Sequence, residues 1–173
     1  MREPLYHPCL HVVLFQPEIP HNTGSVGRTC VAVGAKLWLV RPLGFRLDDY
    51  YLRRAGLDYW EHLEVEVVDD WATLDRRLIV PSARQPWLFA KAAQRAYTSA
   101  AFEKGDILVF GRESDGLPGW LHEQYAERRL RIPIRPEVRS LNLSNSVAVV
   151  AYEALRQGIA TPVPVEPRNA SDR

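Results

Sequence analysis

The chain has 173 residues, of which 46% are hydrophobic and 25% are charged, and its formal net charge is +1. This length fits one domain with a core of its own, and no apolar run approaches the roughly 20 residues that span a membrane. A net charge so close to zero also excludes attraction of nucleic acid by bulk charge alone.

The N-terminus and the cysteines have no export or metal-binding pattern. Residues 1–8 lack the apolar stretch of a signal peptide, so a cytoplasmic location is expected. Of the two cysteines, Cys30 lies in an apolar helical pattern and is predicted to be a small core residue, so no disulfide is expected. No Cys or His pair has zinc-binding spacing, and no metal is expected.

Strand and helix patterns alternate along the first half of the chain. Short apolar or alternating runs predict strands at residues 10–15, 36–40 and 63–68. Helical patterns predict helices at residues 22–33, 48–55 and about 70–78. The first helix is expected to be capped near Asn22 or Thr23 and ended by Gly34, and Asp69 or Asp70 is expected to cap the third.

The same alternation continues in the second half. Strands are predicted at residues 86–91, 106–110 and 130–134, and helices at residues 118–125 and 144–157. Residues 161–173 are rich in proline and polar residues and are expected to be a disordered tail that follows a domain of residues 1–160. The alternation predicts the α/β class, as a single domain with a mainly parallel sheet flanked by helices.

Three polar segments directly follow predicted strands, at residues 20–28, 110–118 and 132–147. In a parallel sheet the carboxyl ends of the strands share one edge, and ligands bind outside that edge. We therefore expect the three segments to converge on one site.

The segment Gly111-Arg-Glu-Ser-Asp-Gly116 matches none of three common loop signatures. A P-loop needs Lys and then Ser or Thr after its last glycine, a nucleophile elbow needs glycine in place of Arg112, and a dinucleotide-binding loop needs Gly-x-Gly. By itself the segment predicts an ordinary strand-to-helix loop with a carboxylate at Glu113.

The segment before the last helix carries more short polar side chains than a cap requires. Five of the seven residues from Ser140 to Ser146 are Ser or Asn, whereas one helix cap uses one or two. The excess indicates a loop that holds something besides the helix. Capping by Ser140 and Asn142 alone is the alternative.

Asn22 and Arg28 lie six residues apart on the first predicted helix. If Asn22 opens that helix, Arg28 is nearly two turns further along and is expected on a similar side. Val26 and Cys30 make the helix largely apolar, so a partly enclosed Arg28 would need an anionic partner. The alternative is a cap followed by a surface arginine.

Arginine dominates the basic residues, at 19 of 22. Its planar fork suits phosphate, although genome composition or heat adaptation explains most of these residues equally well. Two groups are close enough in sequence to form basic patches: Arg41, Arg46, Arg53 and Arg54, and Arg128, Arg129, Arg131, Arg135 and Arg139.

In their order and spacing, these motifs resemble the SPOUT class of RNA methyltransferases, and within it the subgroup that methylates the 2′-hydroxyl of the tRNA wobble nucleotide. The resemblance runs from about residue 10 to residue 156 and includes Glu18-Ile-Pro-His-Asn-Thr-Gly24, Arg53-Arg-Ala-Gly-Leu-Asp-Tyr59 and Arg139-Ser-Leu-Asn-Leu-Ser-Asn-Ser146. It implies a C-terminal deep trefoil knot, S-adenosylmethionine as the cofactor and the anticodon stem-loop of tRNA as the partner.

The resemblance also implies roles for single residues. The implied catalytic residues are Asn22, Arg28, Glu113, Ser140 and Asn142. The implied cofactor-binding residues are Lys91, Gly111, Ile132, Ser140 and Leu141. Lys91 and Ala92 depart from the family pattern near the adenosine. Because a guanidinium stays protonated, Arg28 is expected to stabilise a developing alkoxide and to fix a phosphate, and not to act as a base.

The last predicted helix is apolar on more than one side, which predicts that it is buried. A central helix of the monomer and a homodimer interface explain this equally well, and the resemblance favours a homodimer through this C-terminal helix. Two alternative functions stay open: an enzyme of the same fold that acts on ribosomal RNA, and a non-catalytic RNA-binding dimer. Mapping of the methylated nucleotide separates the first alternative, and cofactor titration separates the second.

Overall fold

The computed structural model describes residues 8–46 and 59–159, and its strands form one six-stranded sheet. The strands are β1 (Leu10–Phe15), β2 (Lys36–Val40), β3 (Val65–Val68), β4 (Trp87–Phe89), β5 (Asp106–Phe110) and β6 (Arg129–Leu130). Their order is β3-β2-β1-β5-β4-β6, and every pairing is parallel. The predicted α/β class with a parallel sheet is confirmed.

Helices cover both faces of this sheet. They are α1 (Pro20–Val33), α2 (residues 71–82, made of Trp71–Leu74, a π-helical Asp75–Ile79 and Val80–Ser82), α3 (Gly119–Gln124) and α4 (Leu143–Arg156). Short 3₁₀ turns lie at Trp60–His62, Tyr97–Ser99 and Ala126–Arg128.

Each face of the sheet has its own core, because the strands are apolar on both sides. Along β1, Val12 and Leu14 pack with residues of α1 and α4, whereas Val13 and Phe15 pack with residues of α2 and α3. Cys30 is fully buried in the first core, and burial raises the pKa of its thiol, which confirms its predicted place.

Several element boundaries differ from the prediction for identifiable reasons. α1 begins at Pro20 and not at Asn22, because proline suits the first helical turn and Ile19 is the extended N-cap. The last strand ends at Leu130 and not at residue 134, because Pro133 has no N–H for a ladder and Arg131 forms only an isolated bridge with Ala96.

Other predictions fall on residues that the structure does not describe or concern features that it does not test. The short helix predicted at residues 48–55, most of the motif at residues 53–59 and the tail at residues 161–173 lie outside the described residues. The trefoil knot and the domain boundary at residue 160 stay predictions. Within the described part of the chain, no helix is both long enough and apolar enough to cross a membrane.

Candidate functional site

A cavity of about 580 Å³ lies at the carboxyl ends of β4 and β5. Its walls come mainly from four segments: residues 89–92 at the end of β4, residues 110–117 at the end of β5 and after it, the segment before α4 with the first turn of that helix, and the start of α1 with Ile19 and Asn22. His122 of α3 also lines it. The three polar segments therefore meet as expected, at the edge where parallel sheets bind their ligands.

Aromatic and aliphatic side chains form part of the cavity lining. The rings of Phe89 and Phe110 stack with centroids 4.6 Å apart and an interplanar angle of 8°. Ile132, Ile134 and Leu141 continue the same lining. A wall of stacked rings and aliphatic side chains suits a planar heteroaromatic group, and the volume is that of an ordinary small-molecule site.

The loop after β5 is closed by two backbone hydrogen bonds and needs glycine at both of its ends. The N–H of Arg112 donates to Gly116 O at 3.1 Å, and the N–H of Gly116 donates to Arg112 O at 3.0 Å. A Cβ at position 111 would lie 2.2 Å from the carbonyl carbon of Gly116, and Gly116 itself has a φ of +75°. A side chain at position 111 therefore cannot be accommodated without moving the backbone of the loop.

Glu113, at the tip of this loop, accepts hydrogen bonds from the start of α1. Its carboxylate accepts the N–H of Glu18 at 2.8 Å, the N–H of Ile19 at 3.2 Å and the Nδ2–H of Asn22 at 3.1 Å. The N–H of Ile19, the N-cap residue of α1, therefore has its acceptor on a loop more than 90 residues away in sequence.

A chain of side-chain amides continues from Asn22 to α4. Asn22 Oδ1 accepts the Nδ2–H of Asn142 at 2.9 Å, and Asn142 Oδ1 accepts the N–H groups of Ser144 at 2.9 Å and Asn145 at 3.3 Å. An ionised carboxylate at one end can only accept, and backbone N–H groups at the other end can only donate. The orientation of both amides is therefore determined by the chemistry of the two ends.

Asn142 thus has two functions at once. Its Oδ1 caps α4, as the capping alternative required, and its Nδ2 connects the cap to Asn22 and Glu113. Ser144 also donates its hydroxyl to Asn142 Oδ1 at 2.6 Å. Capping therefore explains part of the Ser/Asn cluster, and the remaining polar groups, including Ser140, line the cavity.

The cavity wall contains every predicted site residue except Arg28. The expectation that Arg28 and Asn22 lie on a similar side of the helix is wrong: Asn22 is 5% exposed, whereas Arg28 is exposed. Six residues rotate a helix by about 600°, roughly 120° short of two turns. The Arg28 guanidinium carbon lies 4.8 Å from the ring centroid of Tyr59, whose hydroxyl donates to Gly24 O at 2.6 Å.

The second predicted basic group is divided between two places, whereas Arg53 and Arg54 of the first group lie outside the described residues. Of the second group, Arg139 lines the cavity together with Lys91 and Arg112. Arg128 instead lies over the ring of Trp87, with its guanidinium carbon 3.2 Å from the ring centroid, at the amino end of β4. Within the described residues, no group of His, Cys, Asp and Glu has an arrangement that could hold a metal.

Several cavity residues were not predicted from the sequence. They are Arg112, Ser114, Asp115, Ile134 and Arg139, and they lie inside or beside the quoted motifs. Glu18 was also missed as a single residue. An acidic residue directly after a strand and a proline, at the start of a motif, was the signal that could have singled it out.

Known proteins share both the sequence and the fold. Residues 9–152 match the SpoU rRNA Methylase family. The chain is 49% identical over 148 residues to the tRNA (cytidine(34)-2'-O)-methyltransferase of Burkholderia pseudomallei (strain 1106a), which covers 85% of this chain and 94% of that protein.

Two solved structures illustrate the similarity of fold. One, which concerns 2-OH methylation of C/U34 on tRNA, superposes with a TM-score of 0.81 at 45% identity and covers 86% of this chain and 95% of that chain. The other, an AdoMet-bound rRNA methyltransferase from Sinorhizobium meliloti, superposes with a TM-score of 0.77 at 25% identity and covers 89% of this chain and 59% of that chain.

Proposed function

The chain belongs to the SpoU rRNA methylase family, and from this membership we propose that it transfers a methyl group from S-adenosylmethionine to a tRNA, at the ribose 2′-hydroxyl of wobble nucleotide 34. The observation that carries the proposal is the 49% identity, over 148 residues, to a protein named for this reaction. The cavity and its oriented amides support it independently.

The residues of the cavity fit S-adenosylmethionine. The stacked rings of Phe89 and Phe110, with Ile132 and Leu141, provide an apolar wall for the adenine, and the loop at Gly111 lines the same cavity. When bound, S-adenosylmethionine supplies an electrophilic methyl group on a sulfonium. Lys91 is exposed at this wall, where it contributes a positive charge to the rim.

The amide chain is suited to hold the reacting hydroxyl. Each of Asn22 and Asn142 uses one Nδ2–H within the chain, so a second N–H remains to be offered to a ribose oxygen. Ser140 supplies a hydroxyl to the same cavity. Placement of two reacting groups in line contributes about 7–11 kcal/mol to lowering a barrier, so positioning is a sufficient role for these neutral side chains. Glu113 acts by orienting the amides.

Arg28 has a separate place in the proposal. The guanidinium is exposed on α1 outside the cavity wall, where the RNA backbone can approach it. We assign it to the phosphate next to the target nucleotide and, through its own positive charge, to stabilisation of the charge that develops on the hydroxyl oxygen.

The positive rim of the cavity provides contacts for the rest of the RNA. Lys91, Arg112 and Arg139 line its walls, and a net charge of only +1 means that these local charges, and not the whole molecule, attract phosphate. We propose the anticodon stem-loop of tRNA as the partner and the cytoplasm as the location of the protein.

α4 supports a homodimer as the working form. One face of this helix buries Val147, Val150 and Ala154 in the monomer core, and the other leaves Val149 38% and Tyr152 55% exposed. The buried face fits a helix in the monomer core, and the exposed face is available for a partner. We propose that a second copy of the chain covers the exposed face.

Methyl transfer from labelled S-adenosylmethionine to purified tRNA and to purified ribosomal RNA tests the function. We expect label in tRNA, and loss of that label with Asn22→Ala. Label in ribosomal RNA alone would favour the ribosomal alternative, and absence of cofactor binding in a titration would favour the non-catalytic one.

A further inference from the structure

At the entrance to α1, the carboxylates of Glu18 and Glu113 each accept hydrogen bonds from the segment that carries the other. Glu113 accepts the N–H groups of Glu18 and Ile19. In return, the carboxylate of Glu18 accepts the N–H of Ser114 at 2.8 Å and its hydroxyl at 2.9 Å. The turn before α1 and the loop at residues 111–116 are therefore connected in both directions, each by a charged acceptor on the other.

The carboxylate of Glu18 is held in its charged form. The hydrogen bonds from Ser114 are the main cause that lowers the pKa of Glu18 below its ordinary value, and nearby Arg112 lowers it further. Glu18 is therefore an ionised acceptor for the neutral N–H and O–H donors of Ser114 throughout the neutral pH range.

The backbone of Glu18 is fixed from behind by a second loop. The N–H of Gly44 donates to Pro17 O at 2.9 Å, and a Cβ at position 44 would lie 2.6 Å from Glu18 O. Gln16, just before, has a left-handed φ of 52°, which a residue other than glycine adopts only where its surroundings enforce it. Its side chain accepts a hydrogen bond from Arg112 and donates to Arg41 O at 3.2 Å.

We propose that Glu18 is a positioning residue for methyl transfer: its carboxylate fixes the loop at residues 111–116 against the start of α1. This loop forms the cavity wall, and its Glu113 orients the amides of Asn22 and Asn142. Without Glu18, hydrogen bonds still hold the loop at Glu113 and between Arg112 and Gln16, but the side of the loop at Ser114 is released and can move. The inference rests on the proposed function, because it assigns Glu18 a role in that reaction.

Replacement of Glu18 separates positioning from folding. Glu18→Ala removes both acceptors, and kcat at saturating tRNA and cofactor should fall about 10- to 100-fold, since a misplacement of about 1 Å can cost 10²-fold. Glu18→Gln should recover part of that loss, because its amide can still accept the N–H of Ser114. Ser114→Ala removes only the hydroxyl contact and should cause a smaller loss of kcat. This variant replaces Glu18→Ala in the test if Glu18→Ala does not fold.

Asp70 provides a matched control. Its carboxylate also accepts a backbone N–H, that of Thr73 at 2.7 Å, but it caps α2 and does not line the cavity. Asp70→Ala should lower thermal stability and leave kcat unchanged. A folded Glu18→Ala protein with the kcat of the wild type would overturn the positioning role.

Hydrogen–deuterium exchange of the ligand-free protein tests the same contact without catalysis. Glu18→Ala should speed exchange in peptides that cover residues 16–23 and 111–118, whereas Asp70→Ala should affect only peptides near residue 70. If the wild type transfers no methyl group to tRNA, the proposed function fails. The exchange result still shows whether the Glu18 carboxylate holds the loop. Unchanged exchange in Glu18→Ala would mean that the carboxylate does not hold the loop.

Discussion

At the scale of single side chains, the site depends on which groups can donate a hydrogen bond and which can only accept one. The Glu113 carboxylate determines the orientation of the Asn22 amide, and the Asn22 amide then determines the orientation of the Asn142 amide. A neutral residue at position 113 would leave the N–H groups of Glu18 and Ile19 without their charged acceptor, at a cost of about 1–3 kcal/mol.

Arg28→Lys tests the role of the exposed guanidinium. Lysine keeps the charge and loses the planar fork that binds a phosphate through two N–H groups. We expect kcat to fall by about tenfold or more, because the charge on the hydroxyl oxygen is then less well stabilised. Steady-state kinetics with separate measurement of tRNA binding checks this. A variant that keeps most of kcat and loses only tRNA affinity would show that Arg28 binds phosphate and nothing more.

His11 makes folding stability depend on pH. Burial and the nearby Lys36 lower its pKa from 6.5 to about 4, and its Nδ1 accepts the Nε1–H of Trp38 at 3.2 Å, which requires neutral imidazole. The unfolded chain therefore binds a proton that the folded chain does not between pH 6.5 and about 4. Stability should fall as the pH decreases through this range.

Urea unfolding from pH 4.5 to pH 7.5 measures this effect. His11→Gln can still accept the Trp38 N–H but does not titrate, so its stability should depend less on pH than that of the wild type. Equal slopes for the two proteins would mean that His11 is not the group responsible.

At the scale of elements, the start of α4 combines a helix cap with a part of the site. Asn142→Asp separates the two functions, because aspartate keeps the capping oxygen and places a second acceptor against Asn22 Oδ1. We expect thermal stability near that of the wild type and at least a tenfold loss of kcat. Asn142→Ala should lose activity and also about 1 kcal/mol of stability. An active Asn142→Asp enzyme would contradict a role for the Nδ2–H group.

The loop after β5 requires glycine as its first residue, Gly111. Gly111→Ala places a Cβ within 2.4 Å of backbone atoms of Gly116 and Leu117, so the loop must open and cofactor affinity should fall at least about tenfold. Gly119→Ala is the matched control, because a Cβ there meets no atom within 4 Å. Calorimetric titration with S-adenosylmethionine compares the two, and equal affinities would contradict the need for glycine at position 111.

Elements were predictable where the signal is local. The runs at residues 10–15, 36–40 and 106–110 are the strands β1, β2 and β5, because continuous apolar and β-branched stretches form buried strands. The hydrogen bonds from Ser114 to Glu18 were not predictable, because the two residues lie 96 residues apart and meet only after the sheet has formed. The family resemblance implied nine site residues. Eight of them line the cavity, and Arg28 does not.

At the scale of the whole molecule, the parallel sheet explains why distant motifs form one site. All strands end at the same edge, so the segments that follow β1, β4, β5 and β6 meet there whatever their separation in sequence. The strand order itself was not accessible from local patterns, because it depends on which strands pair after long crossovers.

Tyr152→Glu tests the proposed dimer. Tyr152 is 55% exposed on α4, and a charge there should be tolerated by a monomer and should oppose burial against a second copy. We expect sedimentation to show a dimer for the wild type and a shift toward monomer for the variant. Exposed Val80, on α2, offers the control Val80→Glu, which should leave the assembly unchanged. A monomeric wild type would contradict the dimer.

The central claim is methylation of the ribose at the wobble position, and one measurement tests it directly. The protein would be incubated with labelled S-adenosylmethionine and two synthetic anticodon stem-loops, identical except that one has a 2′-deoxyribose at position 34, with mass spectrometry of the digested product. We predict one 2′-O-methyl group, at nucleotide 34 of the all-ribose stem-loop, and none in the stem-loop with 2′-deoxyribose. Equal methylation of both, or a methyl group on any other nucleotide, would contradict it.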